Sequence, residues 1–88
     1  MNAIKRVEIE TVVRRVLAER AQIGTDVQSL SASQSLYEAG MTSHATVKVM
    51  LGLEDAFDVE FPDELLERSV FDQVESIVGA IEKLQSTR

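Results

Sequence analysis

Three stretches of the chain space their apolar residues three or four positions apart, the pattern of helices that bury one face. In the first stretch, residues 3–20, charged residues fill most of the remaining positions, and Gly24 follows shortly after its end. We therefore predict a helix over residues 3–20. Its apolar positions are Val7, Ile9, Val12, Val13, Val16 and Leu17.

A second helix is predicted from about residue 43 to residue 57, and Thr42 or Ser43 can cap its first turn. Gly52 lies inside this helix, where a glycine costs about 0.5–1 kcal/mol relative to alanine. A close approach by another helix would explain its presence. The recurring positions assigned to one face of this helix are Val47, Met50, Leu51, Glu54 and Phe57.

The last third of the chain predicts a short helix and then a long one. Phe61 is expected to turn inward, and Pro62 suits the first position of the short third helix. Ser69 then opens the final helix, at about residues 70–85, with Asp72 three residues later as a capping-box-like partner. The apolar face of that helix is Val70, Phe71, Val74, Ile77, Val78, Ile81 and Leu84.

Residues 22–42 connect the first two helices without a sustained period, and so long a connection is usually functional or disordered. Leu30 and Leu36 are spaced to anchor it on the core, so we predict an ordered loop. We predict no β-strand in the chain. The predicted fold is all-α: a single domain over residues 1–88, built as a small bundle of three main helices plus one short helix, with a long first loop.

The amino-acid composition argues against disulfide bonds and metal sites. The chain has no cysteine and one histidine, which excludes disulfides and thiolate sites and makes zinc or iron improbable. The acidic run 54–67 lacks the calcium-loop pattern, so we predict no metal site.

The charge is unevenly distributed: residues 1–43 are neutral, and residues 44–88 carry the whole net charge of −6. Such a field repels nucleic acid and anionic membranes and favours a basic partner, unless the acids serve solubility alone. No apolar run is long enough to span a membrane, and we expect a cytoplasmic monomer.

Ser43, between Thr42 and His44, is the main candidate for chemistry. Adjacent residues on a helix point about 100° apart, so His44 is poorly placed to activate Ser43 as a nucleophile. The glycines of the nucleophile-elbow motif are also missing. A hydroxyl at a helix start can instead carry a phosphodiester, because the free amides there favour anions. Spacing alone leaves two interpretations open, a helix cap or an attachment point.

The chain resembles the acyl carrier protein family, which includes peptidyl carrier domains, over nearly its whole length. The stretches that carry the resemblance are "SLYEAGMTS", "LEDAFDVEFPDELL" and "SVFDQV". In that family a serine three residues after a glycine carries a 4′-phosphopantetheine arm. Here Leu36 through Gly40 match the family motif that precedes the serine, and Ser43 is three residues after Gly40. The resemblance implies that Ser43 is the attachment residue and that the chain has no catalytic residue of its own.

Two positions depart from the family pattern, since Thr42 replaces the usual aspartate and His44 the usual leucine. The stretch "AGMTSHATVKVMLGLEDAFDVEFPDELLERSVF" is similar to the stand-alone aminoacyl carrier proteins of bacteria. That similarity implies an amino acid held as a thioester on the arm. It also implies three partners: a phosphopantetheinyl transferase, an ATP-dependent amino acid:carrier protein ligase resembling class II aminoacyl-tRNA synthetases, and a downstream acceptor enzyme.

Partner docking is expected along the second helix and the end of the loop before it. The candidate docking residues are Met41, Thr42, His44, Val47, Lys48, Glu54 and Asp55, with Asp58 as a weaker one. Val47 is equally a candidate for the core. Two alternatives remain. An acyl carrier protein of a fatty-acid, polyketide or nonribosomal peptide pathway would need, for a long chain, a cavity lined by Val47, Met50, Phe57 and Ile77. An unmodified helical adaptor would bind its partners through the acidic face.

Overall fold

The structure is a computed structural model that describes residues 2–86, with side chains described for residues 5–86; the predicted domain limits, residues 1 and 88, lie outside this range. Its helices are α1 (Asn2–Arg20), α2 (Ser43–Phe57), α3 (Arg68–Phe71) and α4 (Val74–Ser86). Two 3-10 turns, Val27–Ser29 and Asp63–Leu65, lie in the connections. The described residues include no strand, and the predicted all-α class of three main helices and one short helix is confirmed. None of these helices combines the length and the apolar character that a membrane span requires.

The core forms where α1 packs against both α2 and α4. The buried residues of α1 are Ile9, Val13, Val16 and Leu17. Val7 was expected on the same face but is 65% exposed. Its position two residues before Ile9 turns it about 200° away, to the other side of the helix. An ion pair between Arg6 and Glu82 links α1 and α4 at the surface.

The inward face of α2 differs from the predicted one. The buried residues of this helix are Ala45, Val49, Gly52 and Leu53. Val47 and Leu51 are 52% and 50% exposed, whereas Met50 and Phe57 are half-buried. The prediction was wrong because apolar residues surround most of this helix, so their spacing alone fits more than one face.

The inward face of α2 is fixed at Gly52, where α1 passes close by. A Cβ atom at Gly52 would lie 2.9 Å from Cγ1 of Val16 and 3.1 Å from Nε of Arg20. Val16 is β-branched, and its side chain has one strongly preferred rotamer in a helix. The structure therefore shows the close helix approach that would explain a glycine at this position.

The first half of the loop between α1 and α2 is held by a side chain of α1. The guanidinium of Arg14 donates to the carbonyl oxygens of Val27 and Leu30, at 2.9 and 2.8 Å. It also donates to Glu10 one turn earlier, at 2.9 Å. Leu30 and Leu36 are both buried, as predicted. The loop is therefore ordered by polar and apolar anchors together.

The second half of the loop is bonded to the junction of α3 and α4. The Leu36 amide donates to the Asp72 carbonyl at 2.6 Å, and the Ser35 hydroxyl donates to the Asp72 carboxylate at 2.6 Å. In a continuous helix, the Asp72 carbonyl would instead accept from the amide of residue 76. The bond to Leu36 therefore explains why α3 ends here and why α4 starts separately at Val74.

The prediction of one final helix opened by Ser69 is wrong for the same reason, because Asp72 binds the loop and does not pair with Ser69. The helix predicted to begin at Pro62 is only a 3-10 turn. Phe61 is buried, as expected, and its ring centroid lies 5.4 Å from that of Phe71. This contact holds the segment after α2 against α3.

Gly52→Ala tests the α1–α2 contact. We expect it to lower the free energy of unfolding by about 1–3 kcal/mol, the usual cost of overpacking. This loss should outweigh the gain of up to about 1 kcal/mol that alanine brings in helix propensity. Urea denaturation followed by circular dichroism measures the change.

Gly79→Ala is the matched control, because it changes a glycine of α4 that has open space around its Cβ position. This variant should be more stable by about 0.5–1 kcal/mol. If both variants gained stability, Gly52 would not mark a close helix contact.

Candidate functional site

The loop enters α2 through a turn over residues 36–40 that ends at Gly40. The φ of Gly40 is +122°, a conformation that favours glycine. The amide of Met41 then donates to the Leu36 carbonyl at 3.0 Å, and the Met41 side chain is only 3% exposed. Its burial brings the next two residues, Thr42 and Ser43, to the surface.

Thr42 is the N-cap of α2. Its Oγ1 accepts a hydrogen bond from the Ala45 amide at 3.0 Å, and its carbonyl accepts one from the Thr46 amide at 2.9 Å. The choice between Thr42 and Ser43 as the cap, which spacing left open, is thereby decided. Ser43 is the first residue of the helix and does not cap it.

Ser43 presents an exposed hydroxyl on a rigid element. Within residues 2–86 this hydroxyl has no hydrogen-bond partner, and His44 beside it is exposed and not bonded to it. The start of α2 also leaves the amides of Ser43 and His44 without partners inside the helix, which suits a nearby anion. The arrangement therefore favours attachment of an anionic group over activation of the serine by a base.

A groove of about 420 Å³ opens beside Ser43. One side belongs to α2 and the other to residues 66–71. The lining residues are Tyr37, Ser43, Thr46, Val47, Met50, Leu66, Glu67, Arg68 and Phe71. Most of this lining is apolar, so the groove can shelter a slender flexible group that is attached at its edge.

The cavity predicted for a long acyl chain does not match this groove. Val47 and Met50 line it, but Phe57 does not. Ile77 is fully buried in the core. The four residues belong to different environments, because α2 is rotated relative to the predicted orientation.

Sequence reasoning missed the side of the groove that faces α2. The guanidinium of Arg68 lies 3.8 Å from the ring centroid of Tyr37, and the Thr46 hydroxyl lies 3.2 Å from that of Tyr37. Leu66, 45% exposed, lies nearby on the same side. Leu66 and Arg68 are far from Ser43 in sequence and show no local pattern, so only the tertiary structure brings them beside Tyr37 and Ser43.

Four docking candidates form an exposed strip along α2: His44, Val47, Lys48 and Asp55. Leu51, which the sequence reasoning assigned to the predicted inward face, completes the strip at helical spacing. The sequence left open whether Val47 belongs to the core or to the surface, and the structure places it on the surface. We call these five residues the α2 strip.

The other docking candidates are buried or help to form the fold around α2. Met41 is buried, so its assignment to a docking surface is corrected. Thr42 is exposed, but its side chain is engaged as the helix cap. The Glu54 carboxylate accepts the Phe61 amide at 2.9 Å and so holds the segment that follows α2. Asp58 is exposed and ends α2 in a left-handed conformation, with φ of 54°.

Comparison with known proteins identifies the family. The family model described as the phosphopantetheine attachment site matches residues 11–81, which is most of the chain. The chain belongs to this family of carrier proteins. The family resemblance and the 4′-phosphopantetheine cofactor expected from the sequence are thereby confirmed.

Individual relatives are carrier proteins too. An aminoacyl carrier protein of Agrobacterium fabrum (strain C58) is 40% identical over 73 residues, which cover 83% of this chain and 88% of that protein. An acyl carrier protein of Campylobacter lari is 34% identical over 73 residues, covering 83% and 91%. The first of these confirms the similarity to aminoacyl carrier proteins.

Solved structures agree with the fold. One is a crystal structure of an engineered Bradyrhizobium japonicum glycine:[carrier protein] ligase complexed with a carrier protein from Agrobacterium tumefaciens and ATP. A chain in it matches with a TM-score of 0.83 and 39% identity, over 85% of this chain and 97% of that one. A complex of the Bradyrhizobium japonicum ligase with glycylated carrier protein matches with a TM-score of 0.64 and 28% identity, over 85% and 96%.

The separate roles of Thr42 and Ser43 in this carrier protein can be tested by stability. Thr42→Ala removes the acceptor of the Ala45 amide and should lower the free energy of unfolding by about 1 kcal/mol. Ser43→Ala removes an unbonded, exposed hydroxyl and should change it by less than about 0.5 kcal/mol. Equilibrium urea denaturation of both variants gives the comparison. A larger loss in Ser43→Ala than in Thr42→Ala would show that the serine is the structural residue.

Proposed function

We propose that this protein is an aminoacyl carrier protein with 4′-phosphopantetheine attached to Ser43. The observation that carries the proposal is the free, exposed Ser43 hydroxyl at the first position of α2, beside a groove and next to a residue that already caps the helix. The 40% identity to an aminoacyl carrier protein supports an amino acid as cargo. The similarity to carrier proteins in complex with a glycine:[carrier protein] ligase supports a ligase as the loading partner.

The prosthetic group, when bound, supplies a terminal thiol on a flexible arm. The chain contains no cysteine, so no thiol of the protein competes with it. The contribution of the chain is position: Ser43 holds the arm at the end of a rigid helix, and the groove beside it offers the arm a resting place. Tethering also raises the effective concentration of the cargo at each partner enzyme.

Three partners follow from this function. We infer that a phosphopantetheinyl transferase adds the arm from coenzyme A and that an ATP-dependent amino acid:carrier protein ligase, resembling class II aminoacyl-tRNA synthetases, loads the amino acid. A downstream acceptor enzyme then receives it. The carrier itself is a substrate of these enzymes and not a catalyst. Coenzyme A and ATP are cytoplasmic metabolites, so we infer that it works in the cytoplasm.

The α2 strip is the surface that we propose for docking the ligase. It begins beside Ser43 and combines two exposed apolar side chains, Val47 and Leu51, with the charged Lys48 and Asp55. Apolar side chains in the centre of an interface usually contribute most of the binding energy, whereas charges at its edge affect the association rate more. Val47 and Leu51 are therefore the expected centre of the contact.

An acyl carrier protein of a fatty-acid, polyketide or nonribosomal peptide pathway is the second candidate. It is favoured by the 34% identity to the acyl carrier protein of Campylobacter lari. The apolar groove residues Val47, Met50, Leu66 and Phe71 could contact such a cargo. The two candidates differ in the loading enzyme and in the cargo, and one assay separates them.

The test is loading followed by intact-protein mass spectrometry. The protein is first incubated with coenzyme A and a broad-specificity transferase, then with ATP, an amino acid such as glycine and an amino acid:carrier protein ligase. We expect a gain of one phosphopantetheinyl group and then of one aminoacyl group. Ser43→Ala should gain neither, whereas Ser33→Ala, which changes an exposed serine of the loop, should gain both.

Other outcomes of this assay have definite meanings. An arm that accepts a fatty acyl group from an acyl-carrier synthetase but no amino acid from any ligase would identify an acyl carrier protein. A wild-type chain that gains no arm with several transferases would contradict the proposal and support an adaptor without a prosthetic group.

The same assay tests the α2 strip. Val47→Glu places a charge at the expected centre of the ligase contact and should raise the KM for the armed carrier at least about tenfold, a loss of about 1.4 kcal/mol. Val7→Glu makes the same change at an exposed valine of α1 and should alter KM less than about twofold. Equal effects would place the ligase contact elsewhere.

A further inference from the structure

The groove beside Ser43 contains a cation that lies over an aromatic ring. The guanidinium of Arg68, the first residue of α3, lies 3.8 Å from the centroid of the Tyr37 ring. The half-buried Tyr37 is itself fixed by the Thr46 hydroxyl of α2, 3.2 Å from its own. Arg68, Tyr37 and Ser43 all line the same groove. The structure therefore joins a residue of α3 to the start of α2 through one aromatic ring.

Stacking leaves the hydrogen-bonding capacity of Arg68 available. A guanidinium that stacks on a ring uses its flat face, whereas its five N–H donors lie in its plane and point away from the contact. Within residues 5–86, the guanidinium of Arg68 forms no hydrogen bond or ion pair; the two ion pairs found there are Arg6–Glu82 and Arg14–Glu10. The N–H donors of the guanidinium thus have no acceptor among the described side chains and backbone groups of residues 5–86.

Among the groove residues, one acid adjoins Arg68. Glu67 precedes it and also lines the groove, but the Glu67 carboxylate forms no ion pair with it. A positive side chain beside the attachment serine is therefore an exception in the half of the chain that carries the negative charge. Arginine is well suited to phosphate, because its planar donors match two phosphate oxygens at once.

We propose that Arg68 is a phosphate-binding residue that holds the phosphodiester of the prosthetic arm at the mouth of the groove. The proposal rests on attachment of the arm to Ser43. Tyr37 acts as the positioning residue that orients the guanidinium. Binding of this kind fixes the first atoms of the arm and directs the rest along the groove, while the distal thiol stays free to reach a partner.

The test compares phosphopantetheinylated wild type, Arg68→Gln and Arg15→Gln. Arg15 is the matched control, because it is exposed on α1 and does not line the groove. Intact mass first verifies one arm on each protein. We then expect the ³¹P resonance of Arg68→Gln to be shifted from that of wild type, whereas the Arg15→Gln resonance coincides with wild type. Added salt should move the wild-type resonance towards that of Arg68→Gln, because it screens the pair.

A second readout follows the arginine itself. The Nε–Hε resonance of Arg68 should shift between the unmodified and the armed wild-type protein, and that of Arg15 should not. Arg68→Lys keeps the charge but loses the planar donors, so its ³¹P resonance should lie between those of wild type and Arg68→Gln. This variant keeps the test decisive if the glutamine variant folds poorly.

Two outcomes would overturn the proposal in distinguishable ways. Identical ³¹P resonances in armed wild type and armed Arg68→Gln would show that Arg68 does not bind the phosphodiester, and Ser43 would remain the attachment site. A higher ligase KM in Arg68→Gln with an unchanged ³¹P resonance would assign Arg68 to partner docking instead. A wild-type protein that gains no arm would overturn the proposed function and this inference together.

Discussion

The close contact between Gly52 of α2 and Val16 of α1 determines how the helix that carries Ser43 is rotated. Because glycine has no side chain that would collide with Val16, α2 approaches α1 closely with this face inward. The opposite side, with Val47 and Leu51, then faces the solvent. The most exposed apolar residues of α2 are thus a consequence of the packing on the other side of the same helix. Neither residue belongs to the buried core, so the surface that we propose for docking does not compete with core packing.

The start of α2 is fixed by a second set of contacts, which are independent of the contact between Gly52 and Val16. Arg14 holds the first half of the preceding loop, and Asp72 holds the second half through both its carbonyl and its carboxylate. Hydrogen bonds to charged groups contribute about 1.5–3 kcal/mol each, so the bonds of the Arg14 guanidinium and the Asp72 carboxylate are substantial for a small domain. Thr42 then completes the helix start and leaves its neighbour Ser43 unbonded. Of these two adjacent hydroxyl residues, Thr42 supports the helix and Ser43 is available for chemistry.

The sequence predicts those features that depend on local chemistry. The three long helices, the buried anchors Leu30 and Leu36 and the close approach at Gly52 follow from spacing and from the cost of glycine in a helix. The inward face of α2 could not be predicted in this way, because apolar residues surround most of that helix. The break between α3 and α4 depends on a bond from Leu36 to the Asp72 carbonyl, and the Arg68–Tyr37 contact joins distant segments. Such contacts leave no periodic pattern in the sequence. For Ser43, spacing alone left a helix cap and an attachment point open, and the resemblance of its flanking residues to a known family favoured the attachment point.

The most direct measurement is the location of the arm in wild type and in a Thr42→Ser/Ser43→Ala double variant, by fragmentation mass spectrometry after treatment with coenzyme A and a transferase. The double variant keeps a serine at the junction, but in the capping position, where its hydroxyl is bonded to the Ala45 amide. We predict one arm on Ser43 of the wild type and none on the folded double variant. An arm on residue 42 of the double variant, or on any wild-type residue other than Ser43, would contradict it.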